Sequence, residues 1–258
     1  MNGITLEQRD QAEQYLNDTL GLAPELMVET AGAGVATLVW SQLPGSLIHL
    51  RSRELRKDAA SISPRANRLK DDNLPIGVLA GPGYTGAVAL VAARRLLAWG
   101  ARPSIHLGVP RDGLRRLNQA EVDRLEQLGC RVFEPGAPLP TVTLWLDGLF
   151  GTGFRQEIAD ELKDLIDAVN HDHQPTLAVD LPSGLEPTTG RASLPSIRAD
   201  VTAALGLPLV GVLKPFAAQL VGELILIDLG IPASVWRRVG VTVIPSFDGK
   251  AFVKWREQ

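Results

Sequence analysis

The sequence has little of what marks several other classes of protein. Its one cysteine, Cys130, excludes an intrachain disulfide, and the apolar residues beside it predict a buried side chain rather than a reactive thiol. No apolar run approaches the roughly 18 residues of a membrane-spanning helix, and the acidic N-terminal segment does not resemble a signal or transit peptide. We therefore expect no membrane association and a cytoplasmic location.

An excess of basic charge and a cluster of histidines are also missing. The 26 lysines and arginines are outnumbered by 29 acidic residues, and the net charge of −3 argues against a nucleic-acid-binding surface. The four histidines are scattered along the chain and offer no set of zinc ligands. What is present is a chain of 258 residues, 45% of them hydrophobic, which is enough for a sizeable core.

We expect one domain made of four stretches of chain. N-terminal helices occupy residues 1–45, a charged connection 46–74, an α/β core 75–235 and a C-terminal extension 236–258. In the core, nearly continuous apolar runs alternate with helical patterns, which predicts a mostly parallel sheet with helices on both faces. The predicted strands are residues 76–80, 104–107, 131–133, 143–146, 177–179, 201–205 and 224–227. The predicted helices are residues 5–20, 24–43, 86–99, 113–128 and 157–169.

One predicted helix carries signals for both of its ends. Asn118 is the expected N-cap, and Glu121 three residues later completes the pattern of a capping box. Leu125 and Leu128 belong to its expected buried stripe, and Gly129 is expected to close it. These signals concern structure and indicate no function.

Two loops that follow predicted strands combine glycines with reactive side chains. Residues 81–86 spell G-x-G-x-x-G before a helix, which indicates either a nucleotide or phosphate site at the helix N-terminus or a tight turn. In residues 147–153, Asp147 precedes a glycine-rich loop. It is a candidate acid/base or cation ligand, or else the cap of a turn.

Two further loops add acidic and hydroxyl side chains. Asp180 and Ser183 follow the strand at 177–179, and Asp228 follows the strand at 224–227, where a turn role is more typical than a functional one. In an open parallel sheet, ligands bind outside the carboxyl ends of the strands. Several carboxylates at that edge therefore predict a binding site more strongly than any one of them does.

These motifs resemble those of the YjeF N-terminal domain family, the NAD(P)H-hydrate epimerases, over roughly residues 5–235. Five motifs match in order, and they are specific jointly rather than singly. Residues 29–32 are similar to E-N-A-G, 81–94 to G-P-G-N-N-G-G-D-G-L-V-A-A-R, 147–153 to D-A-L-F-G-T-G, 179–184 to V-D-I-P-S-G, and 222–232 to G-E-V followed by D-I-G-I-P.

The resemblance implies a Rossmann-like three-layer sandwich and an enzyme that interconverts the R and S epimers of NADHX and NADPHX, the hydrated nicotinamide cofactors. It also implies a separate NAD(P)HX dehydratase as a partner, and a homodimer is left open. A potassium ion would bind Thr85, Asp147 and Ser183. The implied dinucleotide contacts are Tyr84, Thr85, Gly86, Ala87, Val88, Gly151, Thr152, Gly153, Phe154, Arg155, Gln156, Glu157 and Asp180.

The first glycine loop departs from the family pattern. Tyr84 and Thr85 replace two asparagines, and Ala87 and Ala89 replace glycines. Val88 replaces an aspartate, so that a side chain with no proton to transfer stands where the family has a carboxylate. Elsewhere, Thr30 replaces the asparagine of E-N-A-G, and Leu209 stands in place of a lysine. The motif residues on the later strands are intact.

Three functions remain to be compared. The first is an epimerase in which Asp147 is the catalytic acid/base and Asp180 orients the ribose or a water molecule. The second is a family member that binds a nucleotide or acts as a scaffold without catalysis. The third is a dehydrogenase, suggested by the glycine pattern alone. It is disfavoured because the next strand, which ends at Leu107, has no carboxylate for the ribose hydroxyls.

Overall fold

The computed structural model describes residues 3–42, 74–153, 160–192 and 195–255. The part of the predicted charged connection that precedes Leu74 lies outside these ranges. Within them, none of the helices combines the length and the apolar character needed to cross a bilayer.

Eight strands form one sheet in the order β3-β2-β1-β4-β5-β6-β7-β8, and all neighbouring pairs are parallel except β7 and β8. The seven predicted strands are all present, which confirms the mostly parallel sheet, and β8 is an antiparallel edge that the sequence pattern did not reveal. The strands are β1 Leu74–Ala80, β2 Ala101–Leu107, β3 Arg131–Phe133, β4 Leu144–Gly148, β5 Thr176–Val179, β6 Val201–Leu205, β7 Glu223–Ile227 and β8 Phe252–Lys254.

The five predicted helices are present with shifted ends, and two short helices near the end of the chain were not predicted. The helices are α1 Leu6–Asp18, α2 Pro24–Gln42, α3 Tyr84–Ala98, α4 Arg116–Gln127, α5 Asp160–His171, α6 Ala218–Val221 and α7 Ala233–Arg238. Two 3₁₀ turns, Arg111–Gly113 and Pro215–Ala217, precede α4 and α6.

The helices cover both faces of the sheet, which confirms the three-layer α/β sandwich. On one face, apolar side chains of α2, α3 and α4 pack with alternate residues of the strands, such as Val78 and Ile225. On the other face, α5 packs with Leu79 and Trp145, while α1, α6 and α7 pack with Leu226. Strands that are buried on both sides read as continuous apolar runs, which is why the sequence revealed them.

The predicted N-cap of α4 is wrong. The helix begins at Arg116, so Asn118 lies inside its first turn, and its side chain binds backbone carbonyls of another loop instead of its own helix. Leu128 is also not part of the buried stripe, because it is 57% exposed at the helix end. Gly129, with a φ of +88°, follows the helix as predicted.

His106 on β2 is buried, and its Nε2 atom has no hydrogen-bond partner among the described residues. Its ring stacks on Phe133, with the centroids 4.6 Å apart. Burial in the sheet, together with the nearby positive charge of Arg131, lowers the pKa of His106 from 6.5 to about 4. The folded state therefore favours the neutral form of the His106 ring over the protonated form.

We expect this histidine to weaken the protein in mild acid. Because its pKa is lower in the folded state than in the unfolded chain, its contribution to stability is complete above pH 6.5 and is lost as the pH falls toward 4. A His106→Phe variant keeps an aromatic ring and removes the titration. Urea unfolding of both proteins above, within and below this pH range should show the variant gaining stability relative to the wild type in acid. A difference that does not change with pH would contradict the prediction.

Candidate active-site cleft

The strand order predicts where a ligand site should lie. Strand β1 lies between β2 and β4 in the sheet. After β1 the chain moves toward β2, and after β4 it moves the other way, toward β5, so the chain leaves the neighbouring strands β1 and β4 in opposite directions. In doubly wound sheets, the crevice outside the carboxyl ends of such a strand pair is where ligands bind. The two loops at this point are the glycine loop after β1 and residues 148–153 after β4.

The backbones of these two loops touch. The N–H of Gly81 donates to the carbonyl of Gly148 at 3.0 Å. A Cβ atom added at Gly81 would lie 1.7 Å from the carbonyl oxygen of Leu149, so only a glycine fits there. Asn118 fixes the loop from the other side, because its Nδ2 donates to the carbonyls of Gly81 at 2.9 Å and of Gly83 at 3.0 Å.

Helix α3 starts directly after the glycine loop, and its N-cap, Gly83, offers no side-chain acceptor to the first turn. N–H groups of this kind favour an anion. Tyr84, Thr85 and Val88 in the first turns of α3 line a cleft of about 360 Å³.

The cleft joins residues that are far apart in the sequence. Thr152 enters it from the loop after β4 and Asp180 from the loop after β5, and helix α1 forms another wall. The lining residues are Arg9, Asp10, Glu13, Gln14, Leu16, Asn17, Leu22, Pro24, Met27, Val28, Ala31, Tyr84, Thr85, Val88, Thr152, Asp180, Leu205, Leu229, Ile231 and Trp236.

Several predicted contact residues lie elsewhere. Gly86 and Ala87 belong to the first turn of α3, but they are buried and do not line the cleft. Gly151 and Gly153 flank Thr152 without lining the cleft themselves. The remaining predicted contacts, Phe154, Arg155, Gln156 and Glu157, lie outside the described residues.

Asp180 is a carboxylate held in the cleft by an ion pair. Its backbone has a φ of +71°, in the left-handed region. Its Oδ2 accepts a hydrogen bond from Nη1 of Arg9 at 2.8 Å, and its Oδ1 accepts a longer one from the N–H of Leu205 at 3.4 Å. The guanidinium of Arg9 also donates through Nε to Glu13 at 3.0 Å. Burial disfavours the charge on Arg9, but the two carboxylates raise its pKa above the ordinary value.

Asp147 occupies a different environment. It is fully buried, and it accepts hydrogen bonds from the hydroxyl of Ser183 at 2.6 Å, from the N–H of Ser183 at 2.8 Å and from the N–H of Leu149 at 3.2 Å. Burial raises the pKa of Asp147 to about 6, against the opposing effect of these hydrogen bonds. Neither Asp147 nor Ser183 lines the cleft. The catalytic role of Asp147 stays a prediction.

Other motif residues have structural roles. Asp228 accepts a hydrogen bond from the N–H of Gly230 at 2.8 Å, which is the turn role expected for it. Thr30 binds the carbonyl of Leu26 within its own helix, and Leu209 is buried in the core, so neither departure lies in the cleft lining. Among the described residues, no group of three or more histidine, cysteine or acidic side chains could hold a metal ion.

The contribution of α1 was missed by the sequence reasoning. Arg9, Ala12 and Leu16 are the buried positions of this helix, so a charged residue lies on its apolar stripe. Since a charge is almost never buried without a partner, that position was a usable signal. The sequence did not indicate which carboxylate would be the partner.

A doubly wound sheet with a crevice at its switch point defines a Rossmann-like α/β protein. The fold agrees with the crystal structure of the yeast protein ynu0, with a TM-score of 0.75, 19% identity and coverage of 99% of this chain and 100% of that one. The family model described as YjeF-related protein N-terminus matches residues 24–211. The chain belongs to this family, which confirms the resemblance of the motifs.

Similar curated proteins carry the name bifunctional NAD(P)H-hydrate repair enzyme Nnr. The protein of Gloeobacter violaceus is 38% identical over 64% of this chain and 32% of its own length. That of Thermosynechococcus vestitus is 39% identical over 62% of this chain and 31% of its own length. That of Pyrobaculum aerophilum is 32% identical over 91% of this chain and 44% of its own length. The chain thus spans less than half the length of these relatives.

A methyl group at Gly81 should disrupt the junction of the two loops. We expect Gly81→Ala to lower the free energy of unfolding by about 1–3 kcal/mol, because its Cβ would overlap the Leu149 carbonyl. Gly153→Ala is the matched control, since a Cβ there meets nothing within 4 Å, and it should change stability by less than about 0.5 kcal/mol. If urea unfolding shows the same loss of stability in both variants, the close approach of the two loops at Gly81 does not account for it, and the prediction is contradicted.

Proposed function

We propose that this chain is an NAD(P)H-hydrate epimerase that interconverts the R and S epimers of NADHX and NADPHX. The observation that carries the proposal is the single cleft at the switch point, where Thr85, Thr152 and Asp180 from three family motifs meet. Family membership and the names of the relatives support the same activity.

The cleft suits a dinucleotide in three respects. The first turn of α3 offers N–H groups to the phosphates. Apolar side chains such as Met27 and Trp236 provide surfaces for the rings. Asp180 offers a carboxylate to the ribose hydroxyls or to a water molecule.

Epimerisation requires an acid/base beside the carbon that carries the hydroxyl group, because that group must leave and add again, or the ring must open and close. The sequence assigned this role to Asp147 and an orienting role to Asp180. Since Asp180 is the one that faces the cleft, variants of both residues are needed to separate the two roles.

A potassium ion at Thr85, Asp147 and Ser183 is part of the proposal. Two observations support such an ion. Asp147 is a buried carboxylate with no cationic partner among the described residues, and its oxygen lies 2.6 Å from the Ser183 hydroxyl oxygen. The Thr85 hydroxyl packs against Gly151 of the adjoining loop, where an added Cβ would lie 1.9 Å from Oγ1. A bound cation would offset the charge of Asp147 and prefers oxygen ligands of this kind.

Binding without catalysis is the second candidate. It is favoured by Val88, which lines the cleft where the family has an aspartate, and by the enclosed position of Asp147. In that case the cleft would hold a dinucleotide and leave its epimers unchanged.

We further propose that the chain acts in the repair of hydrated nicotinamide cofactors. An epimerase of this kind supplies one epimer to an NAD(P)HX dehydratase, which we propose as the partner activity. A homodimer and a cytoplasmic location, where the nicotinamide cofactors are used, belong to the same proposal.

We expect the purified protein to convert S-NADPHX into a mixture of the R and S epimers. Chromatography that separates the two epimers measures the rate. Asp147→Asn should lower the rate by about 100-fold or more, the range of a lost general acid/base, whereas Asp180→Asn should lower it by about tenfold to 100-fold, as expected for the loss of an orienting group. Asp228→Asn is the matched control, because this strand-end aspartate supports a turn, and its rate should equal that of the wild type. A wild-type rate for Asp147→Asn would transfer the acid/base role to Asp180. Binding without any epimerisation by the wild type would favour the second candidate.

We expect potassium to stabilise the folded chain. Because a ligand that binds only the folded state raises its stability, KCl should raise the unfolding temperature by roughly 2–4 °C relative to choline chloride of equal ionic strength. The rise should disappear in Ser183→Ala, which removes one proposed ligand. The same rise in wild type and variant would contradict the assigned site.

A further inference from the structure

Arg9 is a charged residue on the buried face of helix α1, which is otherwise apolar. The helix is firmly placed. Thr5 and Gln8 form a capping box at its start, and the amide of Gln8 also donates to the carbonyl of Val239 at 2.9 Å. Arg9 is consequently fixed against the cleft with only 8% of its surface exposed.

The partners of Arg9 lie at different depths. Asp180 is 4% exposed, whereas the side chain of Glu13 is 55% exposed at the rim. Arg9 is the single lysine or arginine among the described residues that line the cleft, whereas three carboxylates, Asp10, Glu13 and Asp180, line it. The arginine therefore reduces an otherwise negative lining that would repel the phosphates of a dinucleotide.

The orientation of Asp180 depends on this ion pair. Its other contact, from the N–H of Leu205 to Oδ1 at 3.4 Å, is long for a hydrogen bond. The bond from Arg9 at 2.8 Å is short and charge-assisted. Without Arg9, the carboxylate would be free to take other rotamers in the cleft.

We propose that Arg9 is a positioning residue, which holds the Asp180 carboxylate in the orientation that a bound dinucleotide requires. The inference rests on the proposed function. It adds to the site Arg9 of helix α1, which lies outside the five family motifs. Arg9 acts through Asp180. Removing it should therefore matter only while Asp180 is present.

A purely structural role of Arg9 would change the unfolding temperature and leave the kcat of the folded protein unchanged. Buried ion pairs contribute little net stability compared with apolar residues of similar size, whereas removing one partner leaves an unpaired buried charge. Arg9→Met alone should therefore lower the unfolding temperature, and the double variant Arg9→Met/Asp180→Asn should recover most of it. Arg9→Lys keeps a positive charge and should keep the protein folded, but it changes the position of that charge relative to Asp180.

The experiment is a double-mutant cycle on the full chain with S-NADPHX as substrate. We expect Arg9→Met to lower kcat by about tenfold to 100-fold, the effect of a misplaced group, and Arg9→Lys to recover part of that loss. The double variant should have the same kcat as Asp180→Asn alone. Arg111→Met is the matched control, because it removes an arginine from surface ion pairs with Asp123 and Glu126 and should leave kcat and KM unchanged.

Additive losses in the double variant, or wild-type kinetics in both Arg9 variants, would overturn the proposal. If the wild type does not epimerise, the proposed reaction fails, and the same cycle is measured by calorimetric titration with NADP⁺. A loss of NADP⁺ affinity in Arg9→Met that is absent from the Asp180→Asn background would still support the positioning role. Equal affinities of all variants, or no NADP⁺ binding by the wild type, would overturn it.

Discussion

The cleft depends on the close approach of two backbones at the switch point of the sheet. At Gly81 there is room for a hydrogen atom only, because a Cβ would lie 1.7 Å from the carbonyl oxygen of Leu149. The chain leaves β1 and β4 in opposite directions, and this contact joins the loops that follow the two strands. It brings the first turn of α3, with Thr85, against the loop that carries Thr152. The remaining walls are built around that junction.

The two aspartates at neighbouring strand ends have opposite surroundings. Asp147 accepts three hydrogen bonds from neutral donors and has no ion pair within the described parts of the chain, so burial raises its pKa to about 6. Asp180 is paired with the guanidinium of Arg9 and faces the cleft. Both carboxyl groups are buried, and one is held by neutral donors while the other is held by a guanidinium, so the two are suited to different tasks.

The departures from the family pattern are not distributed evenly. Tyr84, Thr85 and Val88 all line the cleft, whereas the buried Ala87 and Ala89, together with Thr30 and Leu209, do not. The sheet and its loops are thus maintained while the ligand-facing side of α3 is altered. This is the arrangement expected when a fold is kept and its site is changed, since function resides in the site and not in the framework.

The sequence by itself determined the parallel sheet, its helices on both faces and the edge at which the site lies. Continuous apolar runs and glycine turns are local properties, and they need no knowledge of distant residues. The tertiary structure decided which side chains reach the cleft. Asn118 has the local pattern of a cap, but its amide binds the carbonyls of Gly81 and Gly83, which compete for it from another loop. Arg9 also pairs locally with Glu13, but its buried partner, Asp180, is 171 residues away. No local pattern specifies that pairing, because it is set by how α1 packs against the finished sheet.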